Sequence, residues 1–197
     1  SCCWYSLSSN PKRKLKGTLE LVTTKYGALA GVNTARANNL VRTALDTKLI
    51  AELSAYDVLK SEIPYGKEKS RIDFLLQDTS GEFPDCYLEV KNVTLDKGNG
   101  LAMFPDSVTA RGTKHLRELI FMAEEGFRSV LFFCVQLSDA KSFSIASKID
   151  PVYAGALNDA LDKGIEILAW RTLITSDSIA LQMPINVTLD TLDQKIR

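Results

Sequence analysis

Two short β-rich runs, 18–23 and 27–32, stand either side of a Tyr26-Gly27 turn and predict a hairpin. The period then changes. Leu40, Val41, Ala44 and Leu45 recur at helical spacing, which predicts an amphipathic helix of roughly a dozen residues from Thr34, with Asn33-Thr34 offering a cap. Strand-like runs follow near 56–62, 70–76 and 86–94, and the turn-forming stretch 78–85 makes the latter two an antiparallel hairpin. After a Lys97-Gly98-Asn99-Gly100 loop, 107–125 carries Leu116, Leu119, Ile120 and Ala123 on one helical face and stops at Gly126. The apolar run 129–137 suits a central strand covered on both faces. Asp150-Pro151 opens a third helix that Gly164 closes, and 165–170 and 178–183 supply the last strands. This order implies an α/β core with a mixed sheet, without internal repeats, followed by a polar tail at 190–197 expected to fray.

The 197 residues make about one domain's length, enough to bury roughly 70 % of the surface of the open chain. Lys plus Arg equals Asp plus Glu at 24 each, which excludes a generally polycationic nucleic-acid wrapper and makes any charge-driven function local. His115 is the one histidine, and Cys2, Cys3, Cys86 and Cys134 form no CxxC. Multi-histidine metal centres and structural zinc are thereby excluded, while a hard cation held by carboxylates stays open. Cys86 and Cys134 lie in apolar runs and read as buried free thiols, which fits a reducing, cytoplasmic setting. The longest apolar run, 130–135, falls far short of the roughly 20 residues of a membrane helix. No signal-peptide pattern is visible, and a start on Ser1 reads as a truncation.

There is no GxxxxGKS/T, GxSxG or HExxH, and Gly98-Asn99-Gly100 lacks the remainder of a dinucleotide loop. What remains is Asp73 in one predicted strand and Glu89-Val90-Lys91 in the next. Alternation puts Glu89 and Lys91 on one face, and hairpin pairing brings Asp73 within cross-strand reach. Two carboxylates can hold Mg²⁺ or Mn²⁺, which polarises a phosphodiester, while an ammonium steadies developing charge. An Asp followed by Glu-x-Lys is the signature of the PD-(D/E)XK nuclease fold, although exposed Glu-x-Lys pairs are also ordinary on strands. Arg111, Lys114 and His115 open the second helix. A solvated face is the plain explanation, but the macrodipole opposes cations there, so the cluster points to an anionic partner such as a phosphate backbone. The basic stretch Lys12, Arg13, Lys14, Lys16 reads alone as a solvated edge, and beside that cluster as a second place for an anionic partner.

SRIDFLL (70–76), CYLEVKNVTL (86–95), FPDSVTARGTKHLREL (104–119) and IDPVYA (149–154), after GVNTARANNLV (31–41), resemble the sugar fermentation stimulation protein A family over nearly the whole chain. The resemblance implies a DNA-binding protein linked to maltose and other sugar utilisation. It also implies a restriction-endonuclease-like mixed sheet flanked by helices at 33–189, preceded at 1–32 by the last strands of an OB-like barrel. Asp73, Glu89 and Lys91 then occupy metal and catalytic positions, with Mg²⁺ or Mn²⁺ as cofactor and DNA cleavage as the alternative function. Lys12, Arg13, Lys14, Arg71, Arg111, Lys114 and His115 become the DNA-contacting set, in a nucleoid-associated protein that could form a homodimer.

The sequence departs from the family in lacking its earlier N-terminal segment, in Ile72 where the nuclease motif has proline, and in Leu137 where a basic residue is expected. The fold often takes a further carboxylate from its first helix. Asn38, Asn39, Asp46, Glu52 and Glu62 are the candidates, and Glu62 is preferred because its strand leads into that of Asp73.

Overall fold

The computed structural model describes residues 2–175 and 177–189; the predicted polar tail at 190–197 lies outside the described residues. Strands β1 (Cys3–Leu7), β2 (Gly17–Thr23) and β3 (Leu29–Gly31) form an antiparallel sheet, so the predicted hairpin gains a partner on its other side. Leu21 faces inward, while Tyr5, Leu7 and Leu19 stay exposed on the outer side. Helix α1 (Ala35–Asp46) follows and buries Ala37, Val41, Ala44 and Leu45. Its expected cap differs. No side chain caps α1; Asn33 instead donates to Glu20 on β2 (3.0 Å), which also pairs with Arg36, so these residues tie sheet to helix.

Strands β4 (Val58–Tyr65), β5 (Ser70–Gln77) and β6 (Cys86–Val93) are next, antiparallel in succession. Short β7 (Leu95–Asp96) and β8 (Leu101–Phe104) lead to α2 (Ala110–Glu124), then β9 (Arg128–Val135), β10 (Ser142–Ile145) and α3 (Pro151–Asp162). The chain continues through β11 (Glu166–Ile174), β12 (Ile179–Pro184) and β13 (Asn186–Thr188). The main sheet runs β12-β11-β9-β6-β5-β4, parallel at its centre and antiparallel toward both edges, the mixed sheet expected.

Strand β9 is the central strand its apolar run predicts. Leu131, Phe133 and Val135 pack toward α2 and α3, and Val130, Phe132 and Cys134 toward α1, so alternate residues fill two separate cores. The expected order omits a second sheet, β13-β10-β8-β7. Its strands hold two to four residues, too few for a period of two to register against the surrounding turns. On α2 the buried face is rotated from the one predicted. Leu116 and Leu119 are buried, Ile120 and Ala123 only partly, and Gly112, His115, Glu118 and Met122 take the remaining inward positions.

Candidate functional site

Strands β5 and β6 pair only from Phe74↔Leu88 to Leu76↔Cys86, although both run further. The Asp73 carboxylate stands where they part. Its Oδ2 accepts from the Val90 backbone N–H (2.7 Å) and its Oδ1 from Asn38 Nδ2 on α1 (2.7 Å), so a side chain satisfies a donor that the ladder leaves free. Glu89, 2 % exposed, projects toward α2 with Lys91 beside it. Its Oε1 accepts from Lys91 Nζ (2.7 Å) and meets His115 Nδ1, whereas its Oε2 is buried with no partner among the described residues. Arg111 Nε lies 3.3 Å from His115 Nε2. A guanidinium can only donate, so Nε2 is the acceptor and Nδ1 carries the proton offered to Glu89.

The two carboxylates are driven apart electrostatically. Burial raises the pKa of Asp73 above the ordinary carboxylate range, the Glu89 charge adds to that, and the bonds from Val90 and Asn38 only partly offset it. Burial also pushes Glu89 up, but His115 and Lys91 outweigh it and hold Glu89 below its usual value. Glu89 therefore carries the charge, and Asp73 is the more easily protonated partner.

The surroundings fix this pair. Glu118, on the inward face of α2, accepts from the backbone N–H groups of Lys67 and Glu68 (both 2.7 Å) at the β4–β5 turn. A Cβ on Gly66, whose φ is +68°, would overlap that carboxylate, so the turn requires glycine. Lys114 Nζ reaches the Glu68 carbonyl (2.5 Å), and Arg117 grips the Glu68 carboxylate at 2.9 Å through both Nε and an Nη. Asp150 accepts from the N–H groups of Tyr153 (2.9 Å) and Thr109 (2.8 Å), locking the starts of α3 and α2 together. The hydroxyls of Tyr65 and Tyr153 are buried without partners among the described residues, and both are raised by burial first and the Glu89 charge second.

Asp73, Glu89, Lys91, His115 and Arg111 are thus brought together. His115 does not face outward from the helix head as expected; it is 6 % exposed and turned onto Glu89, because the buried face of α2 passes through position 115. Glu62 does not join the pair. Its left-handed backbone (φ 56°) interrupts the β4–β5 ladder, and its carboxylate sits 3.7 Å from Arg71 Nε, both side chains 60 % exposed. Among the described residues, no three His, Cys, Asp or Glu side chains gather as a metal cluster. Asn38 is the α1 residue that reaches Asp73, as donor of an amide hydrogen. Lys12, Arg13 and Lys14 lie exposed between β1 and β2, with an Arg13 Nη donating to Thr18 Oγ1 (2.8 Å), away from the carboxylates. Sequence reasoning missed Glu118, Tyr65 and Tyr153. Spacing could have found Glu118, one helical turn beyond His115, whereas the tyrosines join the site only through the packing of β4 and α3.

A family model described as "Sugar fermentation stimulation protein RE domain" matches residues 35–178. A sugar fermentation stimulation protein homolog from Pseudomonas fluorescens is 49 % identical over 190 residues, covering 95 % of this chain and 78 % of the relative. A homolog of the same description from Saccharophagus degradans is 50 % identical over 170 residues, covering 86 % of this chain and 72 % of the relative. Among solved structures, Pyrococcus furiosus SfsA in complex with Ca²⁺ matches with a TM-score of 0.83 and 26 % identity, covering 94 % of this chain and 77 % of that one.

Proposed function

The chain belongs to the sugar fermentation stimulation protein family, and we propose that it binds DNA through a divalent-cation site at Asp73 and Glu89, serving regulation of sugar utilisation. The observation that carries this reading is the buried Oε2 of Glu89, without a partner among the described residues, beside the Asp73 carboxylate. A desolvated carboxylate oxygen with nothing to accept from is costly unless a ligand completes it. Two carboxylates suit Mg²⁺ or Mn²⁺, which keep several waters. The Ca²⁺ of the Pyrococcus furiosus structure is a cation of the same hard class. When bound, such a cation polarises a phosphodiester and its associated water.

The chain's own residues do the rest. Lys91 and His115 hold Glu89 ionised through Oε1, and Oε2, without a partner among the described residues, is the oxygen that would hold a cation. Asn38 and the Val90 N–H orient Asp73. Arg111 stands exposed on the first turn of α2, where a phosphate would meet its charge. On this reading the six-stranded sheet with α1 and α2 is a PD-(D/E)XK-like core, and β1–β3 are the last strands of an OB-like barrel.

Fluorescence anisotropy of labelled DNA across a salt series tests the proposal. Affinity should fall steeply with salt, and Arg111→Ala should weaken binding with a slope shallower by about 1. Binding indifferent to both salt and Arg111→Ala overturns it.

A second reading, phosphodiester cleavage, is favoured by one observation: Lys91 Nζ lies 2.7 Å from Glu89, where an ammonium can steady a developing phosphoryl charge. Mn²⁺-dependent cutting of single-stranded, duplex or branched DNA, lost in Lys91→Ala, is its expected result. No cutting of any of these with Mn²⁺ present ends it.

A further inference from the structure

Strands β4 and β5 change faces together. On β5, Ile72 lies in the core under α2 and α3, whereas Phe74, two residues on, lies in the core under α1. Residues two apart on a regular strand share a face. On β4, Leu59 packs against the α1 core, while Ile63 and Tyr65 belong to the α2 side. The crossing falls at one level of the hairpin. Ser61 pairs with Phe74 and Ile63 with Ile72, and the two residues between them, Glu62 and Asp73, are left out of the pairing. Glu62 is where the backbone turns over: its φ of 56° is left-handed, a conformation that a residue bearing a Cβ enters at a cost.

Each half of the hairpin is tied to the helix it packs under. The base takes a bond from α1, Arg42 Nη1 to Ser61 Oγ at 2.6 Å, and the tip is held by α2 through Glu118 on the N–H groups of Lys67 and Glu68. Asp73 stands at the seam. Continued in register from Phe74↔Leu88, a regular ladder would set Asp73 directly opposite Glu89, two carboxylates side by side on one face. The crossing takes Asp73 out of that position. Its carboxylate accepts instead from the Val90 N–H of β6 and from Asn38 of α1, both at 2.7 Å, while Glu89 is held by Lys91 and by His115 of α2. The Glu62 side chain takes no part in these bonds: it is 60 % exposed, and its carboxylate lies 3.7 Å from Arg71 Nε.

We propose that Glu62 is a positioning residue that acts through its backbone: its left-handed turn holds Asp73 in the gap between β5 and β6, and its carboxylate takes no part in holding a cation. The effect on a cation rests on the reading of Asp73 and Glu89 above, whereas the effect on the Val90 N–H does not.

The variants Glu62→Gly, Glu62→Asn and Glu62→Val separate backbone from side chain, since glycine and asparagine enter the left-handed region readily and a β-branched residue resists it. Amide hydrogen exchange, followed by NMR without added cation, reads the Val90 N–H directly. Its protection should persist in Glu62→Gly and Glu62→Asn and fall about tenfold in Glu62→Val, the loss of one hydrogen bond. Calorimetric titration with Mn²⁺ alone should give a dissociation constant within about twofold of the unsubstituted chain for Glu62→Gly and Glu62→Asn, and about tenfold weaker for Glu62→Val. Lost Val90 protection or about tenfold weaker Mn²⁺ binding in Glu62→Gly overturns the proposal, the latter because it assigns the carboxylate to the cation. Unaltered Val90 protection in a folded Glu62→Val overturns it as well. Should Glu62→Val not fold, the thermal midpoint of Glu62→Gly decides: at or above that of the unsubstituted chain supports the left-handed role, and below it overturns it. Val90 protection that follows the series while Mn²⁺ fails to bind the unsubstituted chain overturns the cation reading and leaves the positioning of Asp73 standing.

Discussion

Glu89 uses one oxygen and leaves the other without a partner among the described residues. Its Oε1 takes Lys91 and His115, so replacing either should act through Glu89 rather than through a contact of its own. Substituting His115→Ala removes the donor that holds the carboxylate low and leaves a buried charge less compensated, which should cost about 1–3 kcal/mol in urea unfolding at pH 7. Glu89→Gln removes the charge and should be milder for stability while abolishing cation binding. Equal stability loss in both variants would mean that the Glu89 charge is not what His115 serves. Acid response separates two further groups. Glu20 is held down to about 2 by Arg36 first, against burial, with Ser6 and Asn33 adding to it. A lowered folded value means stability that is present above the usual glutamate range and lost as the pH falls through it toward about 2. Asp73, raised, runs the other way: its share is greatest when protonated and declines as the pH climbs through its raised value. Urea midpoints measured against pH should therefore show Glu20→Gln losing part of the acid-side decline and Asp73→Asn losing part of the decline above the usual aspartate range. Unchanged profiles in both would contradict these environments.

At the scale of elements, what matters is how few contacts hold helix starts and strand ends in place. Asp150 caps α3 and also accepts from Thr109 at the head of α2, so Asp150→Ala frees two helix termini at once. The expected cost is about 2–3 kcal/mol, more than the roughly 1 kcal/mol of a single cap, read as a drop in thermal midpoint. A loss no larger than that of Thr109→Ala would argue that the bridge carries nothing. This is also the scale at which the sequence was most and least legible. The α3 start could be read from Asp150-Pro151 and the central strand from 130–135, because caps and long apolar runs are local signals. Strands β7, β8, β10 and β13 could not, because each holds only two to four residues, and β8, β10 and β13 pair with one another across long stretches of chain. The Glu89–Lys91 pair followed from alternation alone. Glu62 did not behave as expected because a single left-handed residue turned it out of the ladder, and alternation cannot register that. His115 looked like a surface cation because the helical face was drawn through Ile120 and Ala123; the buried face actually includes a histidine and a glutamate, which hydrophobic pattern reading assigns to solvent.

For the molecule as a whole, net neutrality conceals a division. Arg111 stands at the helix head against His115, while Lys12, Arg13 and Lys14 lie exposed in the loop that joins β1 to β2. If both basic regions contact one DNA, Arg111→Ala and Lys14→Ala should weaken binding additively, since the sites share no partner. A cation that binds only the folded chain should also raise its thermal midpoint, by a free energy of about 2.7 kcal/mol when present at roughly 100 times its dissociation constant. That gain should vanish in Asp73→Asn. The most direct measurement is an anomalous-difference map of crystals soaked in Mn²⁺, because it requires no knowledge of the substrate. A peak at the Asp73–Glu89 carboxylate pair is the expected result. A fully occupied peak elsewhere, or none at that pair in a well-soaked crystal, would contradict the cation site on which the functional reading stands.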